Sequence, residues 1–229
     1  MKSFTKRKKE IADKVDFNKE YSIDEAINLI KDLKTLKFDE TIEIALNLGV
    51  DPRHADQNIR VTSSLPNGSG KKIKILVLSN ETDIKEALNS GADYAGNDDF
   101  LKKLESGWSD IDVIVAHPSM MPKLGKLGKI LGPKGLMPNP KSGTVSSDVV
   151  ASVKDIKSGR IELRVDKNGI VHAPIGKKSF SEIQLVENFN SVLKTISNSK
   201  PPSFKGTFLK KITVSSTMGP GLKIERVSV

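Results

Sequence analysis

Between Met120 and Lys141 the chain reads MMPKLGKLGKILGPKGLMPNPK, with Lys123, Lys126, Lys129, Lys134 and Lys141 and no acidic residue. Ammonium groups at this density, without counter-charge, have one obvious chemistry: they attract a polyanion. A solvated charged face would mix both signs, so the single sign favours binding. Gly125, Gly128, Gly132 and Gly135, together with Pro122, Pro133, Pro138 and Pro140, punctuate any helix or strand. A long ordered loop is expected there rather than a core element, pinned by Leu124, Leu127, Ile130, Leu131, Leu136 and Met137.

Catalytic chemistry finds no comparable pattern. Leu65-Pro66-Asn67-Gly68-Ser69-Gly70-Lys71-Lys72 resembles the end of a phosphate-binding loop, but Leu65 fills the first glycine position and Lys72 replaces the magnesium-binding hydroxyl. Gly125 and Gly128 lack the strand-turn-helix setting of a dinucleotide site. His54, His117 and His172 are far apart and stand at no ligand spacing. Cysteine is absent, which removes thiolate ligands, thiol nucleophiles and disulfides. The expectation is a protein that is not an enzyme and holds no metal or cofactor.

The elements that position the lysines follow from periodicity. The 229 residues suffice for two modest domains. No apolar run spans a bilayer and the start, MKSFTKRKKE, lacks a secretory segment, so a soluble cytoplasmic protein without membrane contact is expected. Net charge is +9; residues 68–159 hold 13 lysines against 11 acidic residues, leaving most of the excess to the outer segments.

A basic helix is predicted over residues 2–15, and Ser22 and Glu25 form a capping box for a second helix running to about Lys34. Ile42, Ile44, Leu46 and Leu48 alternate with polar positions as a half-buried strand, with Ile59–Leu65 its expected neighbour and Pro66–Gly70 a flexible exit. Ile73–Leu78 and Ile111–Ala116 read as strands buried on both faces of a parallel sheet. Helices are expected at Glu81–Ser90, at Asp98–Glu105, and after Ser147 up to the joint at Lys157-Ser158-Gly159. Arg160–Asp166, the Asn168-Gly169 turn and Ile170–Ile175 read as a hairpin. Ser181 and Gln184 open a helix expected to bury Ile183, Val186, Phe189, Val192, Leu193 and Ile196; strands Leu209–Ser216 and Leu222–Val227 close the chain. The expected architecture is a discontinuous α+β domain, residues 1–67 and 160–229, with helices on an antiparallel sheet. A Rossmann-like α/β/α domain, residues 68–159, interrupts it.

Two further stretches combine residue types suited to nucleic acid. Lys37 and Phe38 set a cation beside an aromatic ring between a helix and a strand, although a ring taken alone more often belongs to a core. Thr217-Met218-Gly219 precedes Pro220-Gly221 at a strand end, a turn expected to expose backbone donors and a hydroxyl, or else an ordinary hairpin turn. These stretches, with MMPKLGKLGKILGPKGLMPNPKSGTV, residues 37–41 (KFDET), 47–53 (NLGVDPR), 164–169 (RVDKNG) and 215–221 (SSTMGPG), carry a resemblance to the bacterial ribosomal protein L-one family that covers essentially the whole chain. Departures are Val61, where a glycine is usual, and His117, where threonine is usual.

The resemblance implies a large-subunit stalk protein whose principal rRNA-binding surface comprises Lys37, Phe38, Thr41, Arg164, Asp166, Lys167, His172, Ser216, Thr217, Met218 and Gly219. The five lysines of the opening stretch would add a secondary RNA contact. It further implies a role in releasing tRNA from the exit site, repression of the protein's own operon mRNA, and a monomer within the large ribosomal subunit. The competing reading is an RNA-binding regulator outside the ribosome.

Overall fold

A computed structural model describes residues 6–33, 36–79, 81–202 and 204–225. Residues 2–5 of the expected first helix, Lys34 at the expected end of the second and Val227 at the expected end of the last strand lie outside the described residues. The chain begins with α1 (Lys6–Lys14), β1 (Glu20–Tyr21), α2 (Ile23–Asp32), β2 (Thr41–Leu48) and β3 (Arg60–Ser64). There follow β4 (Ile75–Leu78), α3 (Glu81–Asn89), β5 (Tyr94–Gly96), α4 (Asp98–Glu105), β6 (Val113–Ala116), α5 (Met121–Lys126), α6 (Gly128–Leu131) and α7 (Val149–Lys157). The chain continues with β7 (Arg160–Arg164), β8 (Ile170–Lys177), α8 (Glu182–Asn198), β9 (Leu209–Ser216) and β10 (Leu222–Ile224). It divides into two compact units, one of Met1–Gly70 with Ile161–Val229 and the other of Lys71–Arg160. Helices and mixed sheets together make this an α+β protein.

In the first unit the strands lie in the order β1-β10-β9-β2-β8, with β1 parallel to β10 and the other pairs antiparallel. Alternation along β2 buries Ile42, Ile44, Leu46 and Leu48 and turns Thr41, Glu43, Ala45 and Asn47 to the other face. On the buried side α2 contributes Ala26, Ile27 and Ile30, and α8 contributes Leu185, Phe189, Val192, Leu193 and Ile196. Each such large side chain is worth about 1.5–3 kcal/mol on burial. Ser181 and Gln184 close a complete capping box on α8. Ser22 caps α2 by accepting from Glu25 N, but the Glu25 carboxylate pairs with Lys19 instead of reaching back.

Several expectations are corrected here. Ile183 is 72% exposed, because two residues before Leu185 lies about 200° around the helix from the buried stripe. β3 pairs with β7, not with β2, whose two edges are already filled by β8 and β9. The hairpin around Asn168-Gly169 closes with a single bridge, Val165 to Val171, after which β7 and β8 part into different sheets. Gly169 sits at φ +78°, where a Cβ would press on the carbonyls of Val50 and Leu48. The stretch expected as a flexible exit is fastened to α8: the buried Asn188 accepts from Asn67 N and donates to Gly68 O and Ile175 O, while Asn67 Nδ2 donates to Glu187 at 2.7 Å.

In the second unit β4 is the middle strand of a parallel sheet, in the order β5-β4-β6. All four β4 residues are buried, since Leu76 and Leu78 meet side chains from α4, α5 and α6 while Ile75 and Val77 meet those from α3 and α7. Helix α7 is capped by Asp148, which accepts from Ala151 N, in place of the expected Ser147.

The lysine-rich stretch is helical in its first half, not a loop throughout; residues 132–139 remain turn and irregular backbone. A short 3-10 turn, Pro118–Met120, leads into α5 and α6, and a second, Pro140–Ser142, follows. Pro122 lies in the first turn of α5, where its missing N–H costs no hydrogen bond. Met120, Leu124, Leu127 and Leu131 recur at steps of four and three and are all buried, the period of a helix face.

Candidate nucleic-acid interface

At the Thr41 end of the first unit's sheet, the connection from α2 and the turn after β9 are joined by hydrogen bonds. Thr217 N donates to Thr41 O, and the Thr217 hydroxyl accepts from Thr41 N at 3.0 Å and donates to Thr41 O at 3.2 Å. Met218 N donates to Glu40 Oε1 at 3.1 Å, and Gly219 N donates to Ser216 O. The turn therefore does not offer its backbone donors outward: all three are used within the protein. Ser216 is also corrected as a direct contact, being only 5% exposed with its hydroxyl given to Glu40. At Gly219 an added Cβ would strike that same Ser216 Oγ, which accounts for a glycine there without reference to RNA.

What remains outward is side chain. Phe38 is 51% exposed and Met218 59% exposed, so neither is a core residue. Lys37 is exposed beside Phe38, and Lys177 Nζ donates to the Thr41 hydroxyl at 2.8 Å. Lys31, Leu36, Lys37, Phe38, Asp39, Glu40, Lys178 and Ser179 line an adjoining pocket of about 550 Å³. Exposed apolar groups beside cations suit a base or ribose face with its phosphate.

From this end the outward face of the sheet continues in register. Glu43 lies between Pro174 and Ser215, Ala45 between His172 and Thr213, and Asn47 between Ile170 and Lys211, with Lys223 beside Thr213. None of these residues is buried. Glu43, Thr213, Lys211 and Lys223 lie in no motif that singles them out in the sequence, and Ser215 only opens the 215–221 stretch. The signal that finds them is the period-two alternation that identifies the buried positions of the same strands.

Arg164, Asp166 and Lys167 occupy the other end. Asn47 of β2 pairs with Ile170 while Thr41 pairs with Lys177, so these residues lie roughly 20 Å along the strand from the Thr217 turn, with His172 between. Arg164 and Lys167 are exposed and, with Pro52, Asn58, Val165 and Asp166, line a pocket of about 400 Å³. Asp166 is a turn cap: Oδ1 accepts from Asn168 N and Ile170 N, both at 2.8 Å. The amide of Ile170 is the main reason its carboxyl titrates below the ordinary aspartate value, against a smaller opposing effect of burial, with Asn168 and His172 assisting.

In the second unit the lysines divide. Lys123 pairs with Asp98 at 2.6 Å and Lys134 donates to Gly107 O at 3.2 Å, whereas Lys126, Lys129 and Lys141 are simply exposed. His117 caps the 3-10 turn before them, accepting from Ser119 N. Among the described residues no group of three His, Cys, Asp or Glu could hold a metal ion, and no helix is long and apolar enough to cross a membrane.

Comparison with known proteins bears on what this surface serves. Residues 29–220 match the model of the ribosomal protein L1p/L10e family. The large ribosomal subunit protein uL1 of Protochlamydia amoebophila (strain UWE25) is 50% identical over 221 residues, covering 96% of this chain and 94% of that protein. The uL1 protein of Macrococcus caseolyticus (strain JCSC5402) is 51% identical over 220 residues, covering 96% and 95%. That of Chlorobaculum tepidum is 51% identical over 213 residues, covering 93% and 92%. With the family model spanning most of the chain and relatives at this identity nearly end to end, the chain belongs to the ribosomal protein L1p/L10e family, whose members are structural ribosomal proteins and not enzymes.

Proposed function

We propose that this chain is an rRNA-binding protein of the large ribosomal subunit stalk, acting as a monomer within the cytoplasmic ribosome. Residues 1–67 and 160–229 form the principal RNA-binding α+β domain, and residues 68–159 form an inserted Rossmann-like domain. A folded segment of large-subunit rRNA docks along the outward face of the first unit's sheet. Phe38 and Met218 are buried against it, Lys37, Arg164, Lys167 and His172 reach phosphate and ribose, and Thr41 and Thr217 fix the edge between them. Asp166 and Ser216 serve by shaping the turns that carry their neighbours.

The observation that carries this reading is the exposure of Phe38 and Met218 on two segments held together through Glu40 and Thr41. Exposed large apolar side chains on a hydrogen-bonded, rigid support mark a surface made to be covered. The stalk role includes moving deacylated tRNA out of the exit site, with Lys126, Lys129 and Lys141 as an electrostatic contact and Lys123 and Lys134 as weaker ones. The same surface represses the protein's own operon mRNA by binding a segment that mimics the rRNA site, so the two RNAs compete.

Filter binding to protein-free large-subunit rRNA tests the surface: Met218→Ala weakens specific binding by about 1–3 kcal/mol. Unchanged affinity contradicts the assignment. Sedimentation separates it from the alternative of a regulator outside the ribosome, because a regulator would be largely missing from salt-washed large subunits.

A further inference from the structure

Glu40 lies in a segment whose neighbours Lys37, Phe38 and Asp39 are exposed, yet its own side chain is only 1% exposed. A carboxylate buried in this way is costly unless charge and hydrogen bonds compensate it. Here both do. Oε2 lies 3.8 Å from Lys178 Nζ, and that ammonium, itself nearly buried, donates to Leu33 O at 2.7 Å. Oε1 accepts from Ser216 Oγ at 3.3 Å and from Met218 N at 3.1 Å, and Arg7 of α1 approaches it at 3.5 Å. Four separate parts of the chain, α1, the α2–β2 connection, the end of β8 and the turn after β9, thus meet on one carboxylate.

We propose that Glu40 is a positioning residue for RNA recognition. Its carboxylate oxygen, in a group held in place by Lys178 and Arg7, accepts from Ser216 Oγ and Met218 N and so locks the Ser216–Gly219 turn in the conformation that presents the Met218 side chain. This rests on the reading of Met218 as an rRNA contact. A turn whose amides were open to solvent would have to be ordered when RNA arrives; anchoring them on Glu40 removes that cost before binding. Because Glu40 touches no phosphate, losing it lowers affinity without changing how affinity depends on salt.

The test uses the full chain, protein-free large-subunit rRNA and filter binding across a salt series. Glu40→Ala weakens binding roughly tenfold, the size of one charge-assisted hydrogen bond. Glu40→Gln, whose amide oxygen still accepts from Met218 N and Ser216 Oγ, stays within about threefold of the native protein. Both keep the native salt slope, and Glu40→Ala adds little to Met218→Ala in the double variant. The proposal is overturned if folded Glu40→Ala binds at native strength while Met218→Ala is weak, if the two effects add in full, or if the slope falls as it would on removing a phosphate-binding cation. Native binding by Met218→Ala removes the surface reading and this proposal with it. Should Glu40→Ala not fold, amide exchange in the native protein decides: Met218 N–H, though at an exposed turn, exchanges slowly, and fast exchange defeats the idea.

Discussion

The Thr41 end of the first unit's sheet and the lysine segment of the second unit differ in kind. Around Thr217 almost every polar group is already partnered inside the protein, and the outward features are an aromatic ring, a thioether and a few cations. Along α5 and α6 the balance differs: Leu124, Leu127 and Leu131 are buried, and what faces water is mainly lysine, with Ile130 partly exposed among them. Even that charge is partly balanced, since the same unit sets Lys71 against Asp112, Lys74 against Asp110 and Lys123 against Asp98. A surface of the first kind adds discrimination by fit to the salt-dependent pull of its few cations; one of the second kind attracts any polyanion and weakens as salt rises.

The largest effects therefore belong to the first surface. Phe38→Ala weakens rRNA binding by about 1–3 kcal/mol, the scale of removing one base-stacking platform. Thr217→Ala has a comparable effect by a different route, because its hydroxyl holds both the amide and the carbonyl of Thr41. In neither variant does the slope of log affinity against log salt change. If Phe38→Ala lowered the slope and left high-salt affinity intact, the distinction between fit and charge would break.

Smaller, and confined to the slope, is the effect of the lysines. Replacing Lys126, Lys129 and Lys141 by glutamine reduces the salt slope by about 0.7–0.9 for each phosphate that is no longer neutralised. Replacing Lys123 and Lys134 instead yields less, because their ammonium groups already serve Asp98 and Gly107 O. Equal reductions in slope for the two sets would mean that the internal partners do not matter and that the second surface is a plain sum of charges.

Much of the scaffold is legible in the sequence because local signals agree with it. Asp98–Glu105 and Leu209–Ser216 lie within their observed bounds, and the Ser181–Gln184 box opens α8 as its spacing requires. What escapes the sequence is non-local. Alternation reveals which residues of a strand face inward but not which strand lies beside it, so it assigns β3 the wrong neighbour. The parallel pairing of β1, two residues long, leaves no pattern to find. Glycine and proline obscure α5 and α6, although Met120, Leu124, Leu127 and Leu131 carry the helical period throughout. Of the proposed site, Lys37 and Met218 stand out by their types and setting, whereas Phe38, whose ring alone suits a core, is singled out by the family resemblance. Glu40 and Lys178 do not stand out, because their partners are up to 178 positions away in sequence.

The smallest effect separates shape from charge within the first surface. Asp166 stands among cations at the Arg164–Lys167 end, but its carboxylate is occupied by the amides of Ile170 and Asn168. Its folded pKa is lowered, so the stability it contributes is fully present above the unfolded aspartate value of about 3.9 and is lost as pH falls through the lower folded value. At neutral pH the group is simply ionised. Titration of the Asp166 carboxyl followed by nuclear magnetic resonance gives a midpoint below that of an unstructured aspartate, and the amides of Asn168 and Ile170 shift with the same midpoint. An ordinary or raised midpoint would mean that the turn is not held by this carboxylate. Asp166→Asn then reports on binding: its amide oxygen keeps one acceptor for the turn while the negative charge goes, so rRNA affinity rises slightly where that charge faces phosphate and falls where the turn's shape is what matters.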